Sequence, residues 1–85
     1  MKRKTVKEIE EIWAIRKELR KELAELEKEL AELFGERDYE FIKKMFRRIE
    51  AHFNSLYRIK DKEVLMKKKE KIEEMRQEIR EYFNL

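Results

Sequence analysis

Apolar residues in the first part of the chain recur at alternating spacings of three and four positions, which lines them up on one face of an α-helix. Thr5 can cap the start of this helix, and Glu8 three residues later completes the capping-box pattern. We expect Gly35 to adopt the left-handed conformation that ends many helices. The pattern therefore predicts a first helix over about residues 5–34. Its core face carries Ile9, Ile12, Arg16, Leu19, Leu23, Leu26, Leu30 and Leu33.

Two further helical stripes follow, and Asp38 and Asp61 are suited to cap the helices that carry them. No Gly or Pro separates the two stripes. A single long helix is nevertheless disfavoured, because the spacing of the second stripe, continued past Leu56, meets only Glu and Lys. We therefore predict a turn near Arg58–Asp61 and helices over about 38–58 and 61–84. The second stripe comprises Ile42, Phe46, Ile49, Phe53 and Leu56, and the third comprises Leu65, Lys68, Ile72, Met75, Ile79, Tyr82 and Phe83.

Short connections make neighbouring helices antiparallel, so the predicted fold is all-α: an up-down-up three-helix bundle forming one domain over residues 1–85. Folding the helices back about each turn places Arg16 and Lys68 in adjacent core layers near one end. In this register residues 5–11 overhang the other two helices. We therefore expect Val6 and Ile9 to lack cover from the rest of the chain.

Composition agrees with a small helical domain: 51% of the residues are charged, and there is one Gly, no Pro and no Cys. The absence of cysteine excludes a disulfide framework and a thiolate nucleophile and leaves the cellular location open. No apolar run approaches the ~18 residues of a membrane span. Met1–Lys4 precedes charged helix rather than the apolar core of a secretion signal, so we expect a soluble protein with no membrane segment.

The segment from Lys17 to Leu33, KELRKELAELEKELAEL, resembles the regular Glu/Lys/Leu/Ala sequences of de novo designed helical bundles. The resemblance covers the first helix closely and the third in part. Small designed bundles of this kind are commonly made as binders for a chosen protein, so the resemblance implies a protein-binding function. The second helix departs from this style, which makes it the informative segment.

Catalysis and metal binding have few candidate residues. His52 is the only histidine, and Ser55 lies three positions after it without an acid placed to orient the imidazole. The di-metal signature of helical bundles, Glu-x-x-His, fails because Ile49 occupies the Glu position. We expect no enzymatic activity, no cofactor and no metal site.

Arg16 and Lys68 stand where a bundle core would place leucine. Burying two cations without carboxylates costs several kcal/mol, so three arrangements are open. The side chains snorkel to the surface, pair with Asp61 or Glu63, or bind an external anion. The third arrangement keeps a small-anion binder or an enzyme as a remote alternative.

The second helix carries an additional series at spacings of four and three, roughly a quarter-turn from its core stripe. A third helix could cover Met45 and His52 at that angle, but hardly Arg48 or Ser55. Arg, Met, aromatic and small residues together are typical of a protein interface. The alternative is that the apolar members simply widen the core. The predicted partner-binding residues are Phe41, Met45, Arg48, Ala51, His52, Ser55 and Ile59, with Trp13 in a second, weaker patch.

These observations predict a protein-binding module whose partner has an acidic surface, because residues 35–60 carry seven basic and four acidic groups. A self-associating bundle is the main alternative, with the same series pairing with a second copy. Nucleic-acid binding is disfavoured, because the lysines of the third helix alternate with glutamates.

Overall fold

The computed structural model describes residues 5–85, and for Glu36 only the backbone; Met1–Lys4 lie outside the described residues. The described chain contains three α-helices, each ending within two residues of its predicted bounds. The helices are α1 (Val6–Glu32), α2 (Tyr39–Leu56) and α3 (Lys62–Phe83), with a short 3-10 turn at Glu36–Asp38. Helix α1 packs against both others, which confirms the three-helix bundle.

Pairwise contacts fix the directions of the helices. Glu11 pairs with Lys62 and Glu18 with Lys69, so α1 and α3 run parallel. Arg16 contacts Ile59 and Arg20 contacts Tyr57, an order that makes α1 and α2 antiparallel. This is the up-down-up arrangement that the short connections predict.

One cluster of buried leucine, isoleucine and methionine side chains forms the core. From α2 it takes Met45, which is 0% exposed, whereas Phe46 and Phe53 are only partly buried and pack against its edge. The second stripe predicted Phe46 and Phe53 as core residues, and the structure instead places both at the edge of the core. Because α2 packs against two helices, its buried face is wide and includes positions around the helix on either side of Ile49. The buried set is Ile12, Leu19, Leu23, Leu26, Leu30, Ile42, Met45, Ile49, Leu56, Leu65, Ile72, Met75 and Ile79.

Two of the predicted helix caps are present. The Thr5 side chain accepts a hydrogen bond from the Glu8 N–H at 3.2 Å at the start of α1. The Asp61 carboxylate accepts one from the Glu63 N–H at 2.9 Å at the start of α3. Each bond satisfies a backbone donor that has no partner within its helix.

The prediction for Gly35 is wrong, because Gly35 does not have a positive φ. Asp38 occupies the N-cap position of α2 as predicted, but its side chain makes no capping hydrogen bond. The 3-10 turn makes the left-handed conformation unnecessary, since the Asp38 N–H donates to the Gly35 carbonyl at 3.1 Å. The left-handed position is instead Asn84 (φ 58°), after which the Leu85 N–H donates to the Arg80 carbonyl at 2.8 Å and closes α3.

The overhang of α1 is shorter than the register predicted. Val6 is 73% exposed, as expected, but Ile9 is half-buried and Ile12 belongs to the core. The chain between α2 and α3 supplies the cover, because Tyr57 and Lys60 line a cleft together with both isoleucines. None of the helices in residues 5–85 is both long and apolar enough to cross a membrane.

Candidate protein-binding surface

Most of the additional series of α2 lies on the side of the helix next to α3. The Phe41 ring stacks on the Tyr82 ring with centroids 3.7 Å apart and 4° between the planes. Arg48 Nη1 donates to Glu78 Oε2 at 2.7 Å, but both side chains remain more than a third exposed, so α3 contacts Arg48 without covering it. These contacts join α2 to α3 at two separate points along the helices.

The remaining members of the series differ in their exposure. Met45 is fully buried, so it cannot contact a partner without unfolding the bundle. Ile59 is half-buried against the core, and the Ser55 hydroxyl donates to the His52 carbonyl at 3.0 Å within the helix. Ala51 is exposed. Within this series, a partner could therefore contact only Ala51 and the exposed parts of the half-buried side chains.

A signal in the sequence could have identified this seam. On α3, residues at spacings of three and four form a second series that matches the one on α2. Its members include the observed partners of Phe41, Arg48 and His52. The series comprises Lys68, Lys71, Met75, Glu78 and Tyr82.

His52 lies half-buried in the α2–α3 seam, with its Nδ1 atom 3.1 Å from Lys68 Nζ. Burial lowers its pKa below the ordinary value, and the positive charges of Lys68, Arg48 and Lys71 lower it further. The imidazole is therefore mainly neutral near pH 7, with Nδ1 accepting a hydrogen bond from the Lys68 ammonium group. This arrangement joins two helices and gives His52 a structural role.

Arg16 and Lys68 do not act as a pair. Arg16 Nη2 donates to the Ile59 carbonyl at 2.6 Å, in the connection between α2 and α3, whereas Lys68 contacts His52. Within residues 5–85, neither cation forms an ion pair with the described carboxylates, and Arg16 Nε is buried without a hydrogen-bond partner. Arg16 thus stands half-buried with its charge uncompensated.

Exposed aromatic side chains gather on the opposite side of α2, next to α1. Trp13 is 62% exposed and Tyr57 is 59% exposed, and the Arg20 guanidinium carbon lies 5.5 Å from the centre of the Tyr57 ring. The outward positions of both helices around this contact are here named the α1–α2 flank. The flank comprises Trp13, Arg16, Lys17, Arg20, Ala24, Glu27 and Ala31 from α1, and Lys43, Phe46, Arg47, Glu50, Phe53, Asn54 and Tyr57 from the α2 side.

Charges on the α1–α2 flank are unbalanced and unpaired. The flank holds five cations and two carboxylates. Two ion pairs join α1 to α3 and one joins α2 to α3, but over residues 5–85 none joins α1 to α2. Among the described residues, the ion pairs between helices therefore all involve α3, and the charges of the α1–α2 flank have none.

A cleft opens at the end of this flank, beside the start of α1. Its volume is about 300 Å³, near the lower limit for pockets that hold small ligands. Aromatic and apolar side chains form most of the wall, and two cations complete it. The lining residues are Ile9, Ile12, Trp13, Arg16, Tyr57 and Lys60. Of the predicted site residues, only Trp13 lies here.

A second basic cleft, of about 470 Å³, lies at the start of α2 and includes two residues of the additional series, Phe41 and Arg48. Residues 5–85 contain no group of three His, Cys, Asp or Glu side chains placed to hold a metal ion. No family model, curated protein or solved structure matches the chain in comparisons of sequence and fold. The case for a function therefore rests on the side chains themselves.

Proposed function

We propose that this chain is a protein-binding module that presents the α1–α2 flank to a partner with an acidic surface. One observation carries the proposal: exposed aromatic side chains and unpaired cations coincide on this flank. Trp13, Tyr57 and Arg20 belong to the three residue types that most often dominate binding energy at protein interfaces.

The surroundings of these residues suit close approach by another protein. Ala24 and Ala31 are small and exposed, so they leave room for a partner's backbone or side chains. Beneath them, Leu19, Leu23 and Leu26 are at most 1% exposed, which holds the flank on a packed core. A surface that needs little rearrangement loses little conformational entropy on binding.

The charge of the flank determines the kind of partner. Five cations against two carboxylates favour an acidic surface and speed association at low salt. The likeness of α1 to designed bundles made as binders supports the same proposal. Phe41, Arg48 and His52 are then part of the scaffold, because their contacts lie within the bundle.

A selection experiment tests the proposal. The chain is used to select binders from an unbiased library of displayed peptides and small domains. Each enriched binder is then measured against purified variants at two salt concentrations. We expect acidic binders, affinities that fall as salt rises, and a loss of about tenfold or more in Trp13→Ala and Arg20→Glu.

Matched controls lie on α3. Lys67→Glu changes the net charge as Arg20→Glu does, and Met66→Ala removes an apolar side chain that is 47% exposed. Neither change should affect binding. If the α3 variants weaken the enriched binders as much as the flank variants, the proposal is wrong. Sedimentation over a concentration series tests the alternative, since a dimer lost in Trp13→Ala would show that the flank pairs with a second copy.

A further inference from the structure

We propose that the cleft beside Trp13 and Tyr57 receives one large apolar side chain of an acidic peptide segment, whose neighbouring carboxylates are bound by Arg16 and Lys60. This inference rests on the proposed function, because it names the part of the partner that the flank holds. The occupant is a short stretch of Asp and Glu interrupted by a residue such as leucine.

The shape and lining of the cleft favour an apolar side chain. Its walls combine the rings of Trp13 and Tyr57 with the aliphatic side chains of Ile9 and Ile12. Both rings are more than half exposed, so a side chain inserted between them removes apolar surface from water on both partners. A pocket of about 300 Å³ accommodates one such group rather than a larger ligand.

The charges around the cleft require carboxylates beside that apolar group. Within residues 5–85, no described carboxylate forms an ion pair with Arg16, Arg20 or Lys60. Arg16 is half-buried and holds only a backbone carbonyl, that of Ile59. A partly desolvated guanidinium without a counter-charge favours an external anion, and a carboxylate would reach Arg16 through Nη1, since Nη2 donates to Ile59 and Nε is buried.

The neighbouring cleft at the same end of the bundle has the opposite character. Glu8, Glu11, Asp61 and Glu63 line it, on the side of α1 that faces α3. Lys60 borders both clefts, and Glu11 is already paired with Lys62. A basic peptide would therefore prefer the second cleft, whereas an acidic one would prefer the first.

Charge also favours an acidic peptide over a symmetric dimer formed through this flank. A symmetric dimer would place one flank against another, each with five cations and two carboxylates. Such a pair repels itself. An acidic segment satisfies the same cations at no comparable cost.

Trp13 is the only tryptophan and lines the cleft, so its fluorescence reports occupancy directly. Four probes are titrated into the full chain. The first is the acetylated, amidated peptide Asp-Glu-Leu-Glu-Asp, and the second has Ser in place of Leu. The third replaces every acid by Lys, and the fourth is a short oligothymidylate.

We expect saturable binding of the first peptide, with affinity about tenfold lower for the Ser version, because the buried side chain is lost. The Lys version should not shift Trp13 fluorescence. Tyr57→Ala and Lys60→Glu should each weaken the first peptide by about fivefold or more, and Lys67→Glu should not. Circular dichroism confirms that the variants fold, as the exposure of Tyr57 and Lys60 leads us to expect.

Three results would overturn the inference. The first is equal affinity for the Leu and Ser peptides. The second is tighter binding of the Lys peptide or the oligothymidylate than of the acidic Leu peptide. The third is no change in Trp13 fluorescence with any probe. If acidic peptides bind but only Arg47→Glu weakens their binding, the cleft is not the binding site, whereas the proposal that the α1–α2 flank binds acidic partners is still supported. If neither flank nor cleft variants affect any selected binder, the proposed function fails as well.

Discussion

Lys68 Nζ lies 3.1 Å from His52 Nδ1, across the seam between α2 and α3. A neutral imidazole accepts this hydrogen bond, but a protonated one would confront the ammonium group with a second positive charge. The contact therefore holds the two helices together only while His52 is unprotonated. Its consequence is a dependence of stability on pH.

The bundle should lose stability as pH falls toward and below about 6.5, the ordinary pKa of histidine. Burial and three nearby cations lower the pKa of His52 in the folded state, so the unfolded chain binds a proton first. The free energy of unfolding is therefore highest above the unfolded pKa and decreases as pH falls through the folded one. Urea unfolding from about pH 8 to about pH 5, above most carboxyl pKa values, measures this decrease.

His52→Gln supplies the control, since the glutamine side-chain oxygen can accept from Lys68 and does not titrate. This variant should show a flatter dependence of stability on pH over the same range. An equal decrease in the parent chain and in His52→Gln would mean that other groups cause it.

Tyr82 should ionise above its ordinary pKa. Desolvation raises the pKa, and so does the carboxylate of Asp38, which accepts a hydrogen bond from the Tyr82 hydroxyl at 3.2 Å. Stability should then decrease as pH rises through the ordinary tyrosine range, because the unfolded chain loses its proton first. Ultraviolet titration of tyrosinate, compared between the parent and Tyr82→Phe, isolates this residue. Asp38→Asn should bring the pKa closer to the ordinary value, and an unchanged titration would contradict the assignment.

Gly35→Ala should stabilise the bundle by about 0.4–1 kcal/mol, because alanine reduces the conformational freedom of the unfolded chain. Gly35 lacks a positive φ, and the nearest atom to an added Cβ is Asp38 Oδ2 at 3.9 Å, an ordinary contact. Chemical denaturation measures the change. A loss of about 1 kcal/mol would instead support the left-handed conformation that the sequence pattern predicts.

Met45→Ala should destabilise the bundle by about 2–5 kcal/mol, since Met45 is fully buried. Ala51→Ser, at an exposed position of the same helix, should change the free energy of unfolding by less than about 0.5 kcal/mol. Comparable small effects at both positions would mean that Met45 lies on an open surface.

The positions of the helices could be predicted from the sequence because local information determines them. Alternating spacings of three and four gave the core faces, and Thr5 and Asp61 marked two helix starts. Gly35 misled because a 3-10 turn replaced the expected left-handed connection, and Asp38 stands at the predicted N-cap position without the capping hydrogen bond. Turn conformation depends on how the helices pack, and the local pattern does not contain that information.

The proposed binding surface was harder to predict from the sequence, for a geometric reason. Periodicity shows that α2 has apolar and polar positions on both sides of Ile49, but not which side faces α3. That choice depends on the handedness of the bundle. In the structure α3 lies on the side of α2 that carries Met45 and His52, so these residues contact α3. Tyr57 lies on the other side and remains exposed. The exposure of Trp13 could be predicted, because its position on α1 does not depend on the handedness of the bundle.

A paired substitution scan tests the central claim, that the α1–α2 flank is the binding surface, most directly. Every position is varied in a displayed library, which is sorted once for protease resistance and once for binding to a partner selected as above. We predict that Trp13, Arg20 and Tyr57 tolerate substitution for folding but not for binding, whereas changes at Met45 and Arg48 affect binding only as far as they affect folding. If the positions that matter for binding alone were instead Phe41, Arg48, His52 and Ser55, the α1–α2 flank would not be the binding surface.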